Sequence, residues 1–461
     1  MENAFGARRS TRAFNRASFH ADSGPIQFLS KDPWLTDVSS SLVREVQKAM
    51  PNLLSFSPSV VDQSTWERLS DVYYKQEDGG PVCEVGLFSL VRNFVGMIST
   101  TVIMGTAFTE TFPYALNELW AFDSRFNAVL LGIPRWVPFP GLVTAYAARR
   151  RLLLALKSFH NGLAASETGV DAGFDWRDMD DVSEVIKARS RALTDAGYTA
   201  EQAACEHLAF FWAMNMTTNT MIFWNLVHIL LDKQLKQEIM EEIKPHSKVT
   251  RSDWGESGFS IPEPPRLHID AAALVSACPL LKATYYESIR VYATPLSYRQ
   301  LINDITLSEP TATTTVATSR PNTYKCDAGS YVAVPHFMHN MDPKSFPDPE
   351  DFRPWRFLPE KSEETSDVSD EDLSLEDEKL IADDESISQK MRDVWPREGS
   401  TILSYSPEFA ERQALIFTAA FLTMWDIEQA DGKAWKVPRP TDGSATCVPR
   451  KDIKVRMKLR V

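Results

Sequence analysis

Apolar residues recur at helical spacing over most of the first 300 positions. The pattern predicts helices over 85–108, 115–131, 142–163 and 176–193. Pro134, Pro138 and Pro140 force a loop between the second and third of these. The longest helical signal runs over 200–243, with Thr199 as N-cap and Gln202 completing a capping box. Its centre, LAFFWAMNMTTNTMIFWNLVHILL, is apolar nearly all round, so this helix is expected to run through the middle of the molecule. A further helix is predicted over 280–292. Beyond Pro295 the pattern shortens to strands over 298–307, 316–324 and 329–334, then a proline-rich loop over 346–360. A last helix over 407–425 and a terminal β region over 436–461 finish the chain. The apolar run 94–108 is shorter than the ~20 residues that span a bilayer and is predicted to be a buried core helix.

Composition changes this picture in three places. With 43% hydrophobic and 11% aromatic residues, the 461-residue chain can bury a large core. The net charge of -13 argues against a nucleic-acid binder. Most of it comes from one segment, 363–385, where 12 acids stand against one lysine; this is expected to be a disordered, solvated insertion. The five cysteines are widely spaced, without a CxxC pair, which excludes a disulfide scaffold and a structural zinc site. Residues 1–31 carry Arg8, Arg9, Arg12 and Arg16 and are expected to be a basic, poorly ordered terminus.

The common nucleotide, phosphate, zinc-protease and serine-hydrolase motifs are absent from the sequence. His336 and His339, three apart, are expected to be structural. What stands out is a charged pair within an apolar helix. In ATYYESIRVY, Glu287 and Arg290 share one helix face at i,i+3. Burying both costs desolvation unless a third partner completes their hydrogen bonds, and Arg356 in FRPWRF is the candidate.

The order of these features is a buried central helix, ExxR, short strands, FxPxRF and a final helix. It resembles the heme-thiolate monooxygenase superfamily, the cytochromes P450. The resemblance covers roughly residue 32 to the C-terminus, and PHFMHNMDPKSFPDPEDFRPWRFL is its most specific stretch. It implies a mainly α fold with a small β region: one P450-like domain over 32–461. It also implies N-terminal truncation, since the family's membrane anchor, first helix and two long strands would come before the matched part.

Further expectations follow from the resemblance. Glu287, Arg290 and Arg356 would form the triad supporting the heme site. Thr218 would be the oxygen-activation hydroxyl, with Thr217 beside it where the family usually has an acid. A missing acid is also seen in the branch containing prostacyclin synthase and the sterol 7α-hydroxylases, and the chain looks most like a fungal relative of that branch. The expected activity is heme-dependent monooxygenation of a lipophilic small molecule in secondary metabolism. It would draw electrons from an NADPH-dependent reductase. The expected location is intracellular, peripheral to the endoplasmic reticulum, with no transmembrane anchor in this chain.

The resemblance breaks at the metal ligand. The stretch FAERQALIFTAAFLTMWDIE is similar to the family's last long helix, but the loop before it reads WPREGSTILSYSPEFA. Spacing puts Ser404 where the ligand cysteine belongs, so no metal ligand is identifiable. An alcohol stays protonated and binds soft iron poorly. Cys447 follows the final helix and belongs to the terminal β region. Two readings stand: a P450-fold descendant without heme-thiolate chemistry, non-oxidative or structural, or a shifted reading frame confined to this loop.

Overall fold

The computed structural model describes residues 2–5, 29, 31–77, 80–250, 265–294, 296–308, 322–358, 406–432 and 434–460. Helix α1 (Trp34–Ala49) leads into a hairpin, β1 (Tyr73–Glu77) and β2 (Gly80–Gly86), and then helix α2 (Leu87–Met104). Val85 therefore belongs to a strand and not to the helix predicted over 85–108. The start of α2 is fixed by Asp452, whose carboxylate accepts from the backbone N–H of Phe88 and Ser89 at 2.8 and 2.9 Å. A Cβ at Gly86 would come within 2.3 Å of that carboxylate, so the close approach needs glycine. At the other end Gly105, at φ +84°, separates α2 from α3 (Thr106–Thr111).

The helix predicted over 115–131 is two, α4 (Ala115–Asp123) and α5 (Phe126–Leu130), broken at Ser124 and Arg125. After the proline loop comes α6 (Leu142–Glu167), close to its predicted span. The helix predicted from Trp176 starts later, as α7 (Glu184–Asp195). The aspartates ahead of it serve elsewhere: Asp181 accepts from the backbone N–H of Thr106 at 2.8 Å. Ser183 donates to the carbonyl of Ile103 at 2.7 Å.

The long central signal is also divided, into α8 (Ala200–Met216), α9 (Thr218–Leu231) and α10 (Lys233–Ile243). The predicted capping box is present, with Thr199 N–H donating to Gln202 Oε1 at 2.9 Å. Asp232 accepts from the backbone N–H of Gln234 and Leu235 and so starts α10. The break at Thr217 involves neither glycine nor proline. Instead Asn215 donates to the carbonyl of Phe211 at 3.0 Å and Thr220 to that of Met216 at 3.2 Å. Side chains that bond carbonyls four residues back compete with the helix ladder and bend it. Every residue from Thr218 to Leu230 is buried, as expected of a helix apolar nearly all round.

A hairpin of β3 (Ser247–Thr250) and β4 (Arg266–Ile269) precedes α11 (Ala271–Ser276) and α12 (Pro279–Tyr292). The strand predicted over 298–307 is two strands in different sheets. Strand β5 (Leu296–Gln300) pairs with β8 (Tyr331–Pro335), and β6 (Ile305–Ser308) pairs with β7 (Thr323–Cys326). Most of the strand predicted over 316–324 lies outside the described residues. So do the acidic segment 363–385, the loop holding Ser404, and Arg8, Arg9, Arg12 and Arg16. Short helix α13 (His336–Asn340) and long helix α14 (Pro407–Met424) follow. Ser406 caps α14, accepting from Phe409 N–H at 3.1 Å and donating to the carbonyl of Leu29 at 2.9 Å.

The chain ends in β9 (Trp425–Gln429), β10 (Pro440–Asp442), β11 (Cys447–Pro449) and β12 (Lys454–Leu459). The largest sheet has the order β1-β2-β12-β9, all antiparallel. Helix α9 packs on α2, α12 and α14, so the core lies around its apolar circumference. The fold is mainly α with small β sheets, as expected. Helix α2 is long and apolar enough to cross a membrane, but 78% of it is buried inside the protein, which agrees with its reading as a core helix.

Candidate functional site

Helix α12 carries Glu287 and Arg290 on one face, and both side chains are fully withdrawn from solvent. They meet as a two-pronged pair: Arg290 Nε donates to Glu287 Oε2 and Arg290 Nη2 to Glu287 Oε1, each at 2.8 Å. The rest of the guanidinium is satisfied by backbone carbonyls at the end of α13 and in the loop after it. Nη1 donates to Asn340 at 2.9 Å and Pro349 at 2.8 Å, and Nη2 to Asp351 at 3.2 Å. All five N–H groups are used.

Arg356 completes the group. Its Nε donates to Glu287 Oε1 at 3.2 Å, while Nη1 reaches the carbonyl of Pro347 at 2.9 Å. The backbone N–H of Arg353 adds a bond to Glu287 Oε1 at 2.7 Å. The three residues picked from the sequence are thus in contact, and between them they pin the 340–356 loop to α12. Two desolvated arginines on one carboxylate are tolerable because carbonyl oxygens share the positive charge.

The threonines stand elsewhere. Thr217 lies in the break between α8 and α9, and Thr218 is the first residue of α9; both are buried. Thr220 bonds back to its helix, but Thr218 makes no such bond among the described residues. Helix α9 touches α12 farther along. There Asn225 accepts from Ser288 at 2.6 Å, and His228 Nε2 bonds the Tyr292 hydroxyl at 2.7 Å. Seven to ten residues of helix, about 10–15 Å, separate these contacts from Thr218. The threonines and the triad are therefore two places on one scaffold.

Sequence reasoning missed a third feature near the break. Arg92 of α2 lies beneath the ring of Trp120 and beside Phe88, and faces a small cavity that it shares with Asp123, Asn215 and Thr220. Burial pushes the Asp123 carboxyl up from its ordinary range and Arg92 down to about 10. Arg92 is the one charged residue within the apolar sequence of α2, and that interruption was the available signal.

A heme-thiolate site needs a cysteine thiolate ahead of the last long helix. Cys83, Cys205, Cys278 and Cys447 are buried in β2, α8, the turn before α12, and β11. Burial pushes their thiols up to about 12, 11, 12 and 11, away from the thiolate form. Cys326, half-buried, lies on β7. None is on the segment leading into α14, and the serine next to that helix, Ser406, is used as its cap. The described residues keep the buried scaffold, and none of the five cysteines lies on the segment leading into α14. The described residues contain no cluster of three metal-ligating side chains at His336 and His339 or elsewhere, and His339 Nδ1 lies 3.4 Å from the Ser345 hydroxyl.

Comparison with known proteins bears on the same scaffold. The cytochrome P450 family matches residues 89–371. Cytochrome P450 7A1 of Oryctolagus cuniculus is 27% identical over 249 residues, 53% of this chain and 42% of its own length. Cytochrome P450 monooxygenase efuG of Hormonema carpetanum is 24% identical over 357 residues, 74% of this chain and 58% of its own. Cytochrome P450 monooxygenase poxD of Penicillium oxalicum is 23% identical over 346 residues, with the same shares. The chain spans about half the length of the curated relatives it matches. The match reaches from α2 past the FxPxRF loop and takes in both the central helices and the buried Glu287–Arg290–Arg356 group. On these grounds the chain belongs to the cytochrome P450 family.

Proposed function

We propose that the chain serves monooxygenation of a lipophilic small molecule in fungal secondary metabolism, with electrons supplied by an NADPH-dependent reductase. The observation that carries this reading is the buried Glu287–Arg290–Arg356 group, whose desolvated charges are fully hydrogen-bonded. In this reading the triad supports the heme site, and Thr218 and Thr217 hold polar groups at the break of the central helix. The matches to fungal monooxygenases support the reaction class and the setting.

Peripheral association with the endoplasmic reticulum fits the surface between α5 and α6. Leu131, Trp136 and Val143 are 77%, 80% and 64% exposed there, beside Arg135. Apolar side chains next to a cation, on this loop and the first turn of α6, suit the interface of a bilayer.

A second reading starts from the sequence alone, the serine at position 404. It is a P450-fold protein without heme-thiolate chemistry, non-oxidative or structural. A carbon monoxide difference spectrum of the purified chain separates the two. A thiolate-type Soret band supports the first, and a heme-free protein supports the second. A histidine-type band means a substitute ligand and rejects thiolate chemistry. Ser404→Cys is the companion variant: if it gains no heme, the loop is altered beyond one residue.

A further inference from the structure

Ten residues close around a cavity of about 20 Å³ beside the break between α8 and α9. That is room for one water-sized group. Met216 and Thr220, on either side of the break, form one wall. Arg92 and Asp123 line the same cavity.

The polar groups in this wall are incompletely used. Asp123 Oδ1 accepts from Trp212 Nε1 at 2.8 Å and from Ser444 Oγ at 2.5 Å. Arg92 Nε is buried and has no hydrogen-bond partner, and the guanidinium makes no ion pair among the described residues. It lies instead against the rings of Trp120 and Phe88, at 4.6 and 5.0 Å. A buried N–H without an acceptor costs about 1–3 kcal/mol, so the site favours a guest that supplies one.

Three facts define that guest. The volume admits a single oxygen with its hydrogen, and is too small for a carboxylate. The flanking charges, one positive and one negative, balance each other and favour a neutral group. The unpartnered Arg92 Nε and the Asp123 carboxylate belong to residues that line the same cavity, which calls for a group that accepts and donates at once. Arg92 and Asp123 both retain partial exposure, so the pocket opens outward.

We propose that the Arg92–Asp123 pocket binds the hydroxyl group of an otherwise lipophilic alcohol, accepting from Arg92 Nε and donating to Asp123. This deepens the reading above, on which it rests, by naming the polar group of the substrate and the residues that select it. Arg92 and Asp123 are then specificity-determining residues, which hold one end of the molecule beside Thr217 and Thr218.

The test titrates the purified 461-residue chain with 1-decanol, its methyl ether, decane and decanoic acid. Binding is followed by tryptophan fluorescence and calorimetry. The alcohol is expected to bind about tenfold tighter than the ether, which can accept but not donate. Arg92→Met and Asp123→Asn should each remove that preference while leaving affinity for decane unchanged. Asp123→Asn is nearly isosteric and keeps the test valid if Arg92→Met fails to fold by circular dichroism. Equal binding of alcohol and ether, a preference that survives Asp123→Asn, or tightest binding of decanoic acid would each overturn the assignment and leave the lipophilic-substrate reading standing. If none of the four binds, that reading falls as well.

Discussion

The indole of Trp224 lies flat against the phenol ring of Tyr292, with centroids 3.8 Å apart and planes within 3°. Its Nε1 donates to the carbonyl of Cys447 at 2.8 Å, so one side chain ties α9 to both α12 and β11. Trp224→Ala should therefore lower the unfolding free energy by about 3–5 kcal/mol, the usual cost of removing a buried aromatic. Tyr292→Phe keeps the stack and deletes only the hydroxyl on His228, for a loss of about 1–3 kcal/mol. Urea denaturation of both variants checks the ranking.

Removing one member of the triad should be costlier than its geometry alone suggests. Glu287→Ala leaves Arg290 buried and uncompensated, and about 3–5 kcal/mol of stability should go with it. Arg356, 13% exposed, can turn some of its neighbours over to water, so Arg356→Ala should cost clearly less. The opposite order in denaturant midpoints would show that Arg356 and not Glu287 organises the loop.

Stability should fall in mild acid because of buried histidines. Burial holds His228 down at about 3, and His207 lies well below its ordinary value through burial, Arg189 and His160. His160 is lowered by burial as well. These folded-state values are below that of the unfolded chain, about 6.5, so the unfolded state binds more protons between the two. The contribution is complete above about pH 6.5 and is lost as pH falls, for His228 down to about pH 3. Each histidine adds up to about 1.4 kcal/mol per pH unit. Comparing unfolding free energies at pH 7 and 5 for the wild type and His228→Gln tests this; the variant should show the shallower slope.

Asp452 should act as a distant cap. Its carboxylate serves the first turn of α2 from the C-terminal end of the chain, also accepting from Ser89 Oγ at 2.8 Å. Asp452→Ala should cost about 0.5–2 kcal/mol, and Asp452→Asn less. Hydrogen exchange should localise the loss to the amides of Phe88 and Ser89.

What could be read from the sequence depended on how local its cause was. Glu287 and Arg290 lie three apart on one helix, so their contact follows from helix geometry. Arg356 followed from the need to satisfy a buried charge. The break at Thr217 was hidden because Asn215 and Thr220 act through carbonyls of their own helix, and polar side chains in an apolar run do not announce a kink. The β1–β2 hairpin was missed although Asp78–Gly79–Gly80 is a turn signal between alternating runs. Arg92 and Asp123 were invisible as a pair, since only tertiary packing brings α2 and the end of α4 to one cavity.

The largest sheet has a consequence for the order of events in synthesis. Strand β12 lies between β2 and β9, with Val455 opposite Val85. About 370 residues must leave the ribosome after β2 before its partner exists, which takes roughly 20–70 s at ~5–20 residues per second. During that interval the β2 edge has open hydrogen-bonding groups, and a nascent chain this long depends on chaperones or on α2 to shield them. Residues 454–459 therefore close a sheet that residues 73–86 began.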